Sequence, residues 1–289
     1  MLVFIHINKT AGRTVRYILR SSYGMRHCEA EPWRAAWDGP FTAADLHGLR
    51  RIYPRLASIA GLRLTGYVDL DGAGRDLRYF TFLRDPLKLT ASRFQAAGLA
   101  AQRSGREYHV EHRGMRDLVF EEWVQREWLR NPQTRQIGGT ARVEDAIRTI
   151  ENKGIFVGLT ERFDESVLML KSLRAPDLDI RYTPVNVAKS SRLAQELLAD
   201  PRAREAIVAA NVADVALYEY AKTELYPAIV REYGGSLEAA LSDLRAQGSG
   251  SFSSVRLTAS RAKQYGLYRP LLRLHRKAST RPVVRPPMG

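Results

Sequence analysis

A chain of 289 residues, 45% hydrophobic, with no run of eighteen apolar residues and no signal-peptide pattern at its start, is expected to bury a sizeable core in one large or two small domains and to hold no membrane-spanning helix. Cys28 is the single cysteine, which excludes an intramolecular disulfide and a cysteine-based metal cluster and points to a reducing, cytoplasmic compartment. The net charge of +14 is unevenly placed: residues 248–289 hold nine Lys or Arg and no acid, leaving 36 basic against 31 acidic residues in 1–247, a net +5.

The first predicted strand, LVFIHI (2–7), is rich in β-branched and aromatic residues and runs directly into the turn NKTAG (8–12). Val15, Ile18 and Leu19 then fall at helical spacing, with Gly24 as the expected stop. Strand, polar turn and helix together make a phosphate-binding device, because backbone N–H groups at a helix start point at an anion and the helix dipole adds to the attraction. Lys9 would supply a mobile charge and Gly12 a close backbone approach. The turn is not a Walker A loop, which needs GxxxxGK[ST]; no glycine precedes the lysine. An ordinary strand-to-helix connection accounts for the same residues.

Downstream, 32–41 reads as a loop and 42–56 as a short helix broken near Pro54. A second strand is predicted at LRLTGYV (62–68), a turn-rich loop at 69–76 and a third, fully buried strand at LRYFTFL (77–83). Asp85 and Pro86 supply an N-cap and a first-turn proline for the next helix. Residues 101–115 are polar and mixed, 115–129 and 143–152 helical, and GIFVGL (154–159) a further short strand before the helix TERFDESVLMLKSL (160–173). This alternation argues for an α/β fold with a parallel sheet flanked by helices. A long helical stretch is predicted at 203–233, with Val208, Val212 and Val215 on one face and Gly234–Gly235 ending it. GSGSFSS (248–254) is flexible by composition and divides a domain at 1–247 from a basic, flexible tail at 248–289. Such a tail attracts nucleic acid, anionic lipid or polyanionic sugar without discriminating among them. Its segment YGLYRPLLRLHRK (265–277) suits an anionic membrane surface, and a disordered, solvated extension fits it equally.

A second constellation stands in YFTFLRDPLKLTASRF (79–94). Arg84 ends a buried strand and is suited to paired, charge-assisted hydrogen bonds with a phosphate, and Ser92 follows in the next helix. On spacing alone, an Arg84 paired with Asp85 or another acid and a solvent-facing Ser92 fit as well.

Taken jointly, the two segments carry a resemblance. FIHINKTAG resembles the FIHIPKTGG-type motif of sulfotransferases, and YFTFLRDPLKLTASRF resembles their FTFLRDPxxRxxSxY motif. NPQTRQIGG (131–139), VGLTERFDESVLML (157–170), VNVAKSS (185–191) and ADVALYEYAK (213–222) are similar, in order, to segments of the membrane-type (Golgi) carbohydrate sulfotransferases, heparan uronyl 2-O-sulfotransferases among them, and their bacterial relatives. The resemblance spans residues 2–225. It implies a P-loop-like, three-layer fold shared with nucleotide kinases, 3′-phosphoadenosine 5′-phosphosulfate as sulfuryl donor, no metal, and a hydroxyl of a sugar, polysaccharide or glycolipid as acceptor. Lys9 would stabilise the leaving nucleotide, with Thr10, Ala11, Gly12, Arg13 and Thr14 cradling the 5′-phosphate. Arg84 and Ser92 would grip the 3′-phosphate, with Lys189 and Ser190 as further candidates.

The chain also departs from that pattern. Relatives carry a Gly-His pair at the end of the second strand, where Tyr67 stands here. A phenol is a poor base at neutral pH unless strongly tuned. Asp69, Tyr67, His109 and His112 are the candidates for proton acceptor, Asp69 first among them. Asn8 replaces the usual proline, and Arg13 a common small hydroxyl residue. Asn131, Gln133 and Arg135 border either an acceptor cleft or a simple helix cap, while Glu161 and Asp164 read as structural braces. A binding protein that keeps the fold but lacks the base is the alternative function, a kinase a weaker one, and nucleic-acid binding rests on the tail alone.

Overall fold

The computed structural model of the protein describes residues 1–33, 39–70, 76–104, 120–182, 192–246 and 253–279. Five strands form one sheet: β1 (Leu2–Ile5), β2 (His27–Glu29), β3 (Ser58–Gly61), β4 (Arg78–Leu83) and β5 (Phe156–Leu159), in the order β2-β3-β1-β4-β5. Every pairing is parallel, with Val3 opposite Ile59 on one side and Tyr79 on the other. The sheet buries both faces, as parallel sheets do, and β1, the central strand, is inaccessible along its length.

Alternate residues sort the two faces. Phe4, Phe80 and Phe82 project to one side, where Phe4 stacks on Phe80 at 4.9 Å. They meet Val15, Ile18 and Leu19 of α1 (Gly12–Tyr23), and Val167 and Leu170 of a later helix. Tyr79, of opposite parity, stands under the Lys153 ammonium on the other face. The intervening helices are α2 (Ala43–Ile52), α3 (Pro86–Ser104), α4 (Phe120–Val124), α5 (Pro132–Gly138), α6 (Val143–Lys153) and α7 (Phe163–Arg174), the last carrying Val167 and Leu170. As predicted, Gly24 at φ 54° closes α1, and the Asp85 carboxylate caps α3 by accepting from the Leu87 N–H at 2.8 Å. Beyond β5 lie α8 (Arg192–Ala199), α9 (Pro201–Ala210), α10 (Val212–Tyr220), α11 (Tyr226–Tyr233) and α12 (Leu237–Ala246). A second, smaller core of Phe120, Trp123, Leu129, Ala203 and Ile207 joins α4 to α9 under Phe94 of α3. Among the described residues no helix is long and apolar enough to cross a membrane.

Four expectations differ from the structure. The second strand is Ser58–Gly61, not 62–68; the small residues of SIAG pair between β1 and β2, and the more apolar LRLTGYV wraps over the strand end. β2 escaped prediction because its strand is three residues long and two of them are polar; His27 and Glu29 are buried against Ser58 and Arg20. The stretch 203–233 breaks at Asn211, and Val208 and Val212 are exposed while Ile207 and Leu217 face inward.

The fourth concerns residues 254–279, expected within a flexible extension. They form α13 (Ser254–Lys263), a π-helical turn (Gln264–Tyr268) and α14 (Arg269–Ser279). Gln264, Tyr268 and Leu272, at four-residue spacing, are buried against the sheet. Gln264 lies along the outer edge of β2: its Oε1 accepts from the Glu29 N–H at 3.1 Å and its Nε2 donates to the Glu29 carbonyl at 2.8 Å. The Tyr268 hydroxyl does the same at Glu31, accepting from the N–H at 3.0 Å and donating to the carbonyl at 2.8 Å. An edge strand that would offer open backbone groups is thereby paired by side chains. Composition hid this because the inward stripe is three residues in a strongly basic background.

Candidate functional site

The chain leaves β1 to one side of the sheet, through α1 to β2, and leaves β4 to the other. A crevice therefore opens outside the carboxyl ends of β1 and β4, the position at which parallel α/β sheets bind ligands. Lys9 and Arg84 stand on its two sides.

On the β1 side the turn folds tightly. Thr10 is buried and donates its hydroxyl to the Ile7 carbonyl at 3.0 Å. Lys9 at φ 70° and Ala11 at φ 59° are both left-handed, a costly conformation for residues with a Cβ and one that concentrates at functional sites. Ala11 is the N-cap of α1, so no side chain caps that helix start, and its first turn holds no acid. Arg13 and Asn8 are exposed, whereas Gly12 and Thr14 are buried. Gly12 is needed for a different reason from the one expected. A Cβ there would fall 1.9 Å from Nε2 of His6, whose ring fills the space beneath the turn. His6 stacks near Phe4 at 5.5 Å, and burial, reinforced by the Arg16 charge, holds its pKa at about 3, so the ring is neutral.

On the β4 side Arg84 is half-buried, and Nη1 donates to the Lys9 carbonyl at 3.0 Å. Burial lowers its pKa, while the Glu161 and Asp85 carboxylates oppose that shift. Gln133 of α5 brackets the Arg84 backbone, accepting from its N–H and donating to its carbonyl, both at 2.9 Å. α5 is itself anchored by Asp214, whose buried carboxylate accepts from the N–H groups of Gln133 and Thr134 and from the Thr134 hydroxyl. Asn131, the remaining left-handed non-glycine among the described residues, is clamped by Asn211 and the Asp214 N–H. Glu161 links the far rim, accepting from the Asp85 N–H at 3.2 Å and the Tyr218 hydroxyl at 3.0 Å.

The other expected residues belong to other segments of the chain. Ser92 is half-buried on α3, about 9 Å along the helix from Pro86. The start of α8 meets α3 nearby, with the Ala194 N–H donating to Gln95 at 3.1 Å. Lys189 and Ser190, just before α8, lie outside the described residues, as do His109 and His112. Tyr67 is 45% exposed, its ring against Gly139 at the end of α5. Asp69 is exposed and follows Val68, whose carbonyl accepts from Lys153 Nζ at 2.8 Å. Lys153 Nζ also stands over the Tyr79 ring of β4, at 5.1 Å from its centroid.

Sequence reasoning missed Gln133 as the residue that sets Arg84, and His6 as the support of the turn. A glutamine in a PQT helix start and a histidine at a strand end are both commonplace, and their partners come from distant segments. A cavity of about 330 Å³ opens at the opposite end of the sheet, between Tyr23, Arg26, Arg78 and Asp177. Its arginines face Asp76 and Asp177, so its charges offset one another, and none of its lining residues was expected in a site.

No protein family, curated protein or solved structure matches the chain. The fold is a five-stranded, all-parallel α/β sheet flanked by helices, and the site is read from its own geometry. Among the described residues no three His, Cys, Asp or Glu side chains gather as a metal site would require. What the crevice does offer is a strained turn, an uncapped helix start and an arginine bonded to the backbone of the turn that carries Lys9, features that favour an anion.

Proposed function

We propose that the protein is a sulfotransferase of P-loop-like fold, moving a sulfuryl group from 3′-phosphoadenosine 5′-phosphosulfate to a hydroxyl of a carbohydrate or glycolipid. The observation that carries this reading is the hydrogen bond from Arg84 to the Lys9 carbonyl, which joins the two segments whose sequences resemble the family's two nucleotide motifs. The strand order, with the turn after the central strand, supports it. The acceptor class rests on the resemblance.

In the proposed reaction the acceptor oxygen forms a bond to sulfur as the bond from sulfur to the donor's bridging oxygen breaks. Negative charge then collects on the departing nucleotide phosphate. Lys9, with the N–H groups of the uncapped α1 start, is the group proposed to stabilise that charge. Arg84 would have a dual role: Nη1 donates to the Lys9 carbonyl of the turn, and its remaining N–H groups are the donors proposed for the nucleotide's second phosphate. The acceptor proton passes to a base supplied with, or close to, the acceptor. A filter assay with labelled donor tests the assignment. Lys9→Ala is expected to lower transfer about 10²–10³-fold with the fold intact, and equal transfer by both proteins would remove Lys9 from the mechanism.

Tyr67, standing where the resemblance expects a histidine, supports a second reading in which the protein binds the nucleotide without transferring it. Calorimetry that finds donor binding alongside no turnover over a broad acceptor panel would select that one. Tight ATP binding with no preference for a 3′-phosphate would instead indicate a kinase.

A further inference from the structure

The helical stretch from the π-helical turn through α14 has two apolar stripes. One, Tyr268 and Leu272, is buried against the domain. The other is Leu267, Leu271 and Leu274, spaced by four and three residues along one line of the helix surface, and these side chains are 45%, 38% and 63% exposed. Arg273 and Lys277 lie to one side of that outer stripe and are exposed. The basic residues that turn inward are differently employed: Arg269 and Arg276 pair with Glu31 at 3.1 and 3.6 Å. No acidic residue occurs anywhere in 248–289.

We infer that this outer face of α14 is a membrane-docking surface for an anionic lipid bilayer. Leucine side chains in a row suit an apolar medium, and an exposed cation such as Arg273 beside them suits an anionic one. The lipid headgroup boundary supplies both within a few ångströms, which is how interfacial helices bind. A nucleic acid would satisfy the cations and leave the leucines in water, so the observations favour lipid. Because the inner stripe holds α14 against the domain, the helix is formed before it meets the bilayer, and binding need not bear the ordering cost that a disordered segment would. The inference does not depend on the sulfotransferase reading.

The test is flotation of the full chain with vesicles of phosphatidylcholine alone and of phosphatidylcholine mixed with phosphatidylserine. Binding to the mixed vesicles, weakened by salt and much weaker on phosphatidylcholine, is expected. L271D/L274D and R273E/K277E should each reduce it roughly tenfold or more. All four positions are exposed, so thermal unfolding should be unchanged. L271F/L274F is a conservative variant that should keep binding. Unchanged binding by L271D/L274D, equal binding to both vesicle types, or no binding to either would overturn the proposal. So would a single-stranded oligonucleotide bound more tightly than the vesicles and with no response to the leucine changes, which would assign the face to polyanions.

Discussion

At Gly12 the fold leaves room for a hydrogen and nothing larger, because the His6 imidazole occupies the place of a side chain. Gly12→Ala is therefore expected to destabilise the protein by about 1–3 kcal/mol through overpacking, and the cost should shrink markedly in a His6→Ala background. Urea denaturation of the four proteins of that cycle measures the coupling. His6 and His27 share a second property: burial, with nearby arginines, depresses both from 6.5 to about 3. The folded state thus refuses protons that the unfolded chain accepts. Stability contributed by keeping them neutral is complete above pH 6.5 and is lost as pH falls toward about 3. Each histidine adds a slope of about 1.4 kcal/mol per pH unit across that window. Urea midpoints recorded through the window should fall steadily with acidification, and His6→Gln should flatten the profile; an unchanged profile would mean the ring is reached by water. Little of this was legible beforehand. The sequence puts His6 on the first predicted strand, but its pairing with Gly12 needs the helix to be laid back across that strand.

At the scale of elements, local chemistry announced itself well where one segment holds all the partners. The Asp85 cap, the Gly24 stop and the strands at 77–83 and 154–159 are of this kind. It failed where pairing is distant. SIAG becomes β3 only because β1 and β2 flank it, and α5 reads as a minor turn until Gln133 is seen across 49 residues of chain, holding both backbone groups of Arg84. Gln133→Leu keeps the volume and removes both bonds. It is expected to cost about 1–3 kcal/mol, since two buried backbone groups lose a partner, and, on the proposed function, to weaken nucleotide binding without touching the ligand. Denaturation and calorimetry on the same variant separate the two effects. An unaltered midpoint would show that water replaces the amide. Of the site, Lys9, Thr10, Gly12 and Arg84 were readable from two motifs. The elements that hold them in place were not.

The whole molecule is a sheet with one border sealed by side chains from α13 and α14. Replacing both Gln264 and Tyr268 by alanine opens the backbone groups of Glu29 and Glu31 and removes a buried ring, a loss of about 3–5 kcal/mol at the ring alone. Light scattering on the double variant should show association that grows with concentration, as an uncovered border recruits a second strand. A strictly monomeric variant would show that other groups guard that side. The seal also carries a timetable. Gln264 follows its partner Glu29 by 235 residues. At translation rates of about 5–20 residues per second, roughly 10–50 seconds separate the synthesis of β2 from the arrival of its cover. For that interval the nascent sheet is a ready template for neighbouring chains on a polysome, and the cell must keep them apart.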